Sequence, residues 1–294
     1  VTAFQPAGDG DTVYYLATPD TFEHQRLFRL SLATQASELL LDSTPLQNFR
    51  LKVSPDGQMV VERLNPQTLK AGTQLWVKFP ERDDFQPVPI PGQASGDFAI
   101  APDNASLIVA QGQGLAVVRL QENASLPDFL PQYGQVLAIK PDGTAVAVLR
   151  FNSNYTRTLV ILTNAGQRHE LLTTNGSVHA GSFAPVGTTF YAAVGRLSAE
   201  AYPEYREVPE LMAFDWKIGQ STSLVRLDRP ASLEFSVAPD GRSILYGAKA
   251  IGVEPTATQT DPSGLREITL GARFQAAKDA KVPGIAGASA IWIQ

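Results

Sequence analysis

Four aspartates recur at matching places in the chain, Asp56, Asp103, Asp142 and Asp240, each directly after a proline. Four carboxylates are raw material for a cation site, since calcium takes roughly 6–8 oxygen ligands. Their surroundings point to different work. They sit in the phrases Ser54-Pro55-Asp56-Gly57, Ala101-Pro102-Asp103-Asn104, Lys140-Pro141-Asp142-Gly143 and Ala238-Pro239-Asp240-Gly241, with Ala184-Pro185-Val186-Gly187 as a variant. In such a phrase proline presets φ, aspartate hydrogen-bonds its own turn, and glycine takes a conformation that a Cβ resists. Pro55, Asp56, Gly57, Pro102, Asp103, Pro141, Asp142, Gly143, Pro185, Gly187, Pro239, Asp240 and Gly241 are therefore expected to build β-turns and hold no metal.

Other reactive side chains are sparse. His24, His169 and His179 are the three histidines, none at metal-ligand spacing from another, and there is no cysteine. Disulfides, thiolate metal sites and a cysteine nucleophile are excluded. There is no Gly-x-Ser-x-Gly and no phosphate-binding Gly-x-x-x-x-Gly-Lys-Ser/Thr. Ala180-Gly181-Ser182-Phe183-Ala184 reads as a strand entering the turn at Pro185. A net charge of −5 with no Lys/Arg block excludes nucleic acid as a partner, because phosphate binding needs a concentrated basic footprint. No apolar run approaches the ~20 residues of a membrane-spanning helix. The first residue is Val1, which fits a trimmed leader or a domain taken from a longer protein.

The elements that position these residues follow from the repeat. With the degenerate copy Ala7-Gly8-Asp9-Gly10, six turns fall at a period of roughly 40–50 residues, the mark of a propeller, solenoid or array. Short apolar strands precede the turns (49–53, 97–100, 136–139, 178–183, 233–237) and follow them (59–62, 107–109, 145–149, 190–194, 244–246). A third strand and an amphipathic fourth complete most units. Four strands per unit predict an all-β, six-bladed β-propeller of four-stranded antiparallel blades. One domain spans 1–294, with blades at about 1–43, 44–92, 93–131, 132–174, 175–228 and 229–294. Blade five carries an insertion at 196–209 between its second and third strands, and the last unit a longer one at 248–287. Taking 290–293 as a third strand leaves the last blade incomplete, or closed by other residues from the insertion or from beyond the ends. No segment shows convincing helical periodicity, and the one candidate for a short helix is 271–280.

These features resemble the TolB-like β-propeller repeat, a relative of the WD-type repeat. The resemblance is carried by the Pro-Asp-Gly turns and by the third-strand pattern Leu211-Met212-Ala213-Phe214-Asp215-Trp216-Lys217-Ile218-Gly219-Gln220. Gln74-Leu75-Trp76-Val77 and Ala290-Ile291-Trp292-Ile293 follow that pattern in part. It spans nearly the whole chain. It implies a bacterial, periplasmic or otherwise extracytoplasmic scaffold that binds a protein or peptide, is not an enzyme, needs no cofactor and is a monomer. TolB proteins also carry an N-terminal α/β domain, which no segment here resembles.

Contact residues are expected on loops joining second and third strands: Tyr202, Tyr205 and Arg206 in the 196–209 insertion, with Phe22 and Tyr155 on the same class of loop. Tyrosine and arginine are enriched at binding hot spots. Two alternatives stand beside this. One is a hydrolase of the lactonase-like propeller type, with its site at the mouth of the channel and calcium as its ion. The channel candidates are Asn48, Arg50, His179 and Glu234 on first strands. Only Asn48 and Glu234 offer oxygen ligands, and the basic residues there, Lys52 and Lys140 included, oppose a cation. The other is an accessory propeller domain of a larger peptidase.

Overall fold

The computed structural model describes residues 3–18, 25–42, 48–54, 57–64, 74–88, 94–100, 105–111, 114–120, 129–131, 135–197, 207–227, 230–250, 265–271 and 276–281. They form six four-stranded sheets with strands in sequential order, antiparallel throughout the pairings described, and no helix among the described residues. The chain divides into two compact units, one reaching Val136 and the other starting at Leu137.

In the first unit, sheet one is β1 (Ala3–Pro6), β2 (Thr12–Ala17), β3 (Arg26–Ser31) and β4 (Ser37–Asp42). Sheet two is β5 (Asn48–Val53), β6 (Met59–Leu64), β7 (Gln74–Lys78) and β8 (Gln86–Pro87). Sheet three is β9 (Ala94–Ile100), β10 (Ser106–Gln111), β11 (Gly114–Arg119) and β12 (Phe129–Pro131). Successive side chains of a strand point to opposite faces, and here each face of β6 enters a different core. Met59 and Val61 pack with Tyr14, Leu16, Leu27 and Phe49, whereas Val60 packs with Leu75, Phe98, Leu107 and Val109.

The scheme repeats from β13 (Gln135–Ile139) onward, with β14 (Ala145–Phe151), β15 (Arg157–Thr163) and β16 (Arg168–Thr174) completing sheet four. Sheet five is β17 (Val178–Phe183), β18 (Thr189–Leu197), β19 (Glu207–Asp215) and β20 (Gln220–Arg226), and sheet six is β21 (Ala231–Val237), β22 (Ser243–Ala250), β23 (Leu265–Leu270) and β24 (Ala276–Lys281). Phe190, Ala192 and Val194 of β18 join Leu149, Leu159, Ile161 and Phe214 on one side. Tyr191 and Ala193 join Leu211, Leu233, Ile244 and Tyr246 on the other. Strands covered on both faces carry continuous apolar runs, which is why Ala145-Val146-Ala147-Val148-Leu149 is buried without a break. Fourth strands alternate or turn polar, as in Arg168–Thr174 and Gln220–Arg226.

Where the turns are described, aspartate bonds within its own turn. Asp142 accepts from Thr144 N and Oγ1 at 3.0 and 2.6 Å and pairs with the Lys140 ammonium, and Gly143 has φ +71°. Asp240 accepts from Arg242 N at 2.9 Å beside Gly241 at φ +68°. Gly57 and Gly187 also lie at positive φ, and Val186 stands where aspartate is absent with 75% of its surface exposed. Pro55, Asp56, Pro102 and Asp103 lie outside the described residues.

Three expectations are corrected. The third strand of sheet six is Leu265–Leu270, inside the supposed insertion, and not 290–293. Sheet six therefore has all four strands, the fourth also drawn from that segment. Within 271–280, the candidate for a short helix, residues 276–280 belong instead to strand β24, whose ladder pairs Arg266 with Lys281 and Thr269 with Lys278. Both ends of the 196–209 insertion are sheet: β18 and β19 run on in register through Gly195 opposite Pro209, Arg196 opposite Val208 and Leu197 opposite Glu207, and 198–206 lie outside the described residues.

Donors from Lys140 and Thr144 hold the Asp142 carboxyl down at about 2. A depressed carboxyl stabilises the fold above its ordinary value of 3.8, and that contribution is lost as pH falls towards about 2. Asp142→Ala should cost about 1–2 kcal/mol at neutral pH, solvent screening of the half-exposed carboxylate limiting the loss. Urea unfolding should show the gap to wild type closing between pH 4 and pH 2, roughly the range over which the carboxyl protonates.

Candidate functional site

Two places in the second unit gather polar and aromatic side chains. The first is the hairpin between β14 and β15. Asn152 organises it: its N–H donates to Thr156 O at 2.9 Å, and its Nδ2 donates to Thr156 Oγ1 and Thr158 Oγ1, both at 2.9 Å. Arg150 Nε donates to Asn152 Oδ1 at 3.0 Å, and Thr156 Oγ1 donates to Asn154 Oδ1 at 2.7 Å. Tyr155 N donates back to Asn152 O at 3.1 Å. This bonding fixes Tyr155 at φ +63°, a left-handed conformation that a bulky residue rarely adopts. Its side chain meets nothing that would repay the strain, for the residue is 92% exposed. Phe151 beside it is also exposed, with the Arg157 guanidinium 5.9 Å from its ring centroid.

The second place lies where β17 meets the extended β18–β19 hairpin. One Glu207 oxygen accepts from Ser177 N and Ser177 Oγ, both at 2.9 Å, and the other lies 3.1 Å from His179 Nε2. Glycines make room for this carboxylate. A Cβ on Gly195 would fall 2.1 Å from Glu207 Oε2, and one on Gly176 would fall 1.9 Å from Gly195 O. Gly195 N donates to Ser177 O at 2.7 Å, and Arg157 Nη1 to Gly176 O at 3.0 Å. Arg196 Nε lies 2.6 Å from the buried Glu210 carboxylate, a charge contact without an aligned hydrogen bond.

Serine, histidine and a carboxylate together invite comparison with a nucleophile relay. In such a relay the histidine takes the serine proton and the acid orients the histidine. Here the carboxylate stands between the other two, and the serine hydroxyl donates to it. The arrangement ties the start of β17 to β19 and leaves the hydroxyl without a histidine base.

His179 lies on a first strand as expected, but engaged by Glu207. Glu234 is exposed on β21. Arg50 is exposed on β5, which Asn48 opens. Asn48 and Arg50 belong to the first unit, His179 and Glu234 to the second. Phe22, Tyr202, Tyr205 and Arg206 lie outside the described residues, so of the loop candidates Tyr155 is the one described. Ser177 and Glu207 escaped the sequence because their meeting depends on the β18–β19 register. Among the described residues no three His, Asp or Glu side chains gather as a metal site, and no helix is long and apolar enough to cross a membrane.

Six four-stranded antiparallel sheets in sequential order define a six-bladed β-propeller. No family model and no curated protein matches the sequence. Solved structures do resemble it. TolB from Acinetobacter baumannii is 16% identical, TM-score 0.53, over 76% of this chain and 55% of that one. An oligogalacturonate lyase in complex with manganese is 13% identical, TM-score 0.60, over 83% and 75%. A prolyl endopeptidase is 13% identical, TM-score 0.52, over 81% of this chain and 38% of that one. At these identities the likeness shows a TolB-like β-propeller fold shared by a TolB protein and by enzymes.

Gly176→Ala drives a Cβ into backbone and should cost about 1–3 kcal/mol. Glu207→Ala, which strands the Ser177 donors, should cost about 2 kcal/mol. Urea titration of both variants beside wild type checks the two costs.

Proposed function

We propose that this protein is a non-catalytic scaffold that binds a protein or peptide outside the cytoplasm of a bacterium, through the hairpins joining second and third strands. One observation carries the reading: the chain holds Tyr155 in a strained left-handed conformation while leaving its ring almost wholly in solvent. Asparagine or glycine would fit that backbone better. Strain at a position where the side chain packs on nothing is explained by what the ring does for a partner. Phe151 and Arg157 supply an apolar and a cationic neighbour, the residue types on which hot spots are built. The TolB-like fold supports the scaffold role and the extracytoplasmic setting. Engagement of Ser177 and His179 by Glu207 supports a non-catalytic reading over a hydrolase.

Tyr155→Asn separates binding from folding. It should raise stability by about 1 kcal/mol through relief of backbone strain. It should also weaken peptides selected on the wild-type protein from a random display library by about 2 kcal/mol, roughly thirty-fold. Ile218→Ala, at another exposed turn, should leave those affinities unchanged. Equal affinity of wild type and Tyr155→Asn for every selected peptide would overturn the proposal.

A further inference from the structure

The first unit holds a cavity of about 350 Å³ between sheets one and two, at the end where their repeat turns lie. Its position coincides with a departure in the repeat. Five copies of the turn carry proline at the second position: Pro55, Pro102, Pro141, Pro185 and Pro239. The first copy carries Gly8. Glycine there removes a ring from the cavity wall and supplies a backbone N–H that proline lacks. Among the described residues that N–H has no hydrogen-bond acceptor.

The remaining lining adds two cations and a hydroxyl to an apolar floor. Leu40, Met59 and Pro80 supply the apolar surface, and Arg29, Lys78 and Tyr14 the polar groups. Arg29 spends one nitrogen on Glu38, and the Lys78 ammonium donates to Arg82 O. A guanidinium has five N–H donors and an ammonium three, so both retain donors. The Tyr14 hydroxyl makes no hydrogen bond among the described residues, and burial pushes its phenol up, so it is a neutral donor at pH 7. Asp9 is the opposing charge in the lining, and its carboxylate is turned to its own loop, where it accepts from Asp11 N, Thr12 N and Thr12 Oγ1.

We infer that this cavity binds a small carboxylic acid: the carboxylate received by Gly8 N–H, Tyr14 Oη, Arg29 and Lys78, the apolar body lying on Leu40, Met59 and Pro80. The volume lies in the small-ligand range, and the lining is more polar than apolar, which suits a small anion over an apolar ligand.

Isothermal titration of the whole chain with benzoate, benzamide and inorganic phosphate tests this. Benzoate should bind at least about ten-fold tighter than the uncharged, near-isosteric benzamide, because charge-assisted hydrogen bonds are the stronger kind, and added NaCl should weaken it. Gly8→Pro restores the residue found in the other copies. It should fold with an unchanged or higher Tm and lose benzoate binding by at least about ten-fold, through the lost donor and the filled space. Lys78→Met should weaken binding several-fold while keeping the apolar stem. Equal binding of benzoate and benzamide, undiminished binding by a folded Gly8→Pro variant, or phosphate binding in place of benzoate would each overturn the inference.

Discussion

Everything else in this structure depends on side-chain alternation along the second and third strands. Phe190 and Tyr191 are sequence neighbours, yet each is buried in a different core. Met59 and Val60 are divided in the same way. A sheet whose two faces belong to two cores cannot be stable alone, and it cannot be moved by one residue without emptying both. Register is therefore fixed tightly in the middle of each blade. The constraint relaxes outward along the sheet and at the hairpin tips, and the unusual chemistry is found there.

The repeat turns made the blade architecture readable, because proline, aspartate and glycine each do a local job that needs no tertiary information. Asp142 and Asp240 bond their own turns as their neighbours predict. What escaped were elements whose local composition argues against their state. Ala276–Lys281 is alanine, lysine and aspartate, poor strand formers, yet β23 recruits it through the backbone ladder. Gly195 and Pro209 punctuate most sequences as loop residues, yet they face each other inside a long hairpin. With that hairpin read as an insertion, Glu207 could not be brought to Ser177, thirty positions away.

The site candidates divide along the same line. Tyr155 was legible from residue type and loop class. The reason to single it out, its backbone angle, was not, since the angle arises from bonds among Asn152, Asn154 and Thr156. His179 was legible as a lone histidine on a first strand, but its partner depended on register. Departures from the repeat proved more telling than the repeat, at Gly8 as much as at the extended hairpin.

The polar fourth strands have a consequence for the molecule in company. Each ends its sheet, and a sheet's last strand offers unpaired backbone groups to any other strand that approaches. Lys278, Asp279 and Lys281 line one such border and Arg168 and Glu170 another, while β8 and β12 are short and contain Pro87 and Pro131. Charge, brevity and proline all deter edge-to-edge pairing. These features discourage the described sheets from adding strand to strand, the step by which exposed edges build fibres.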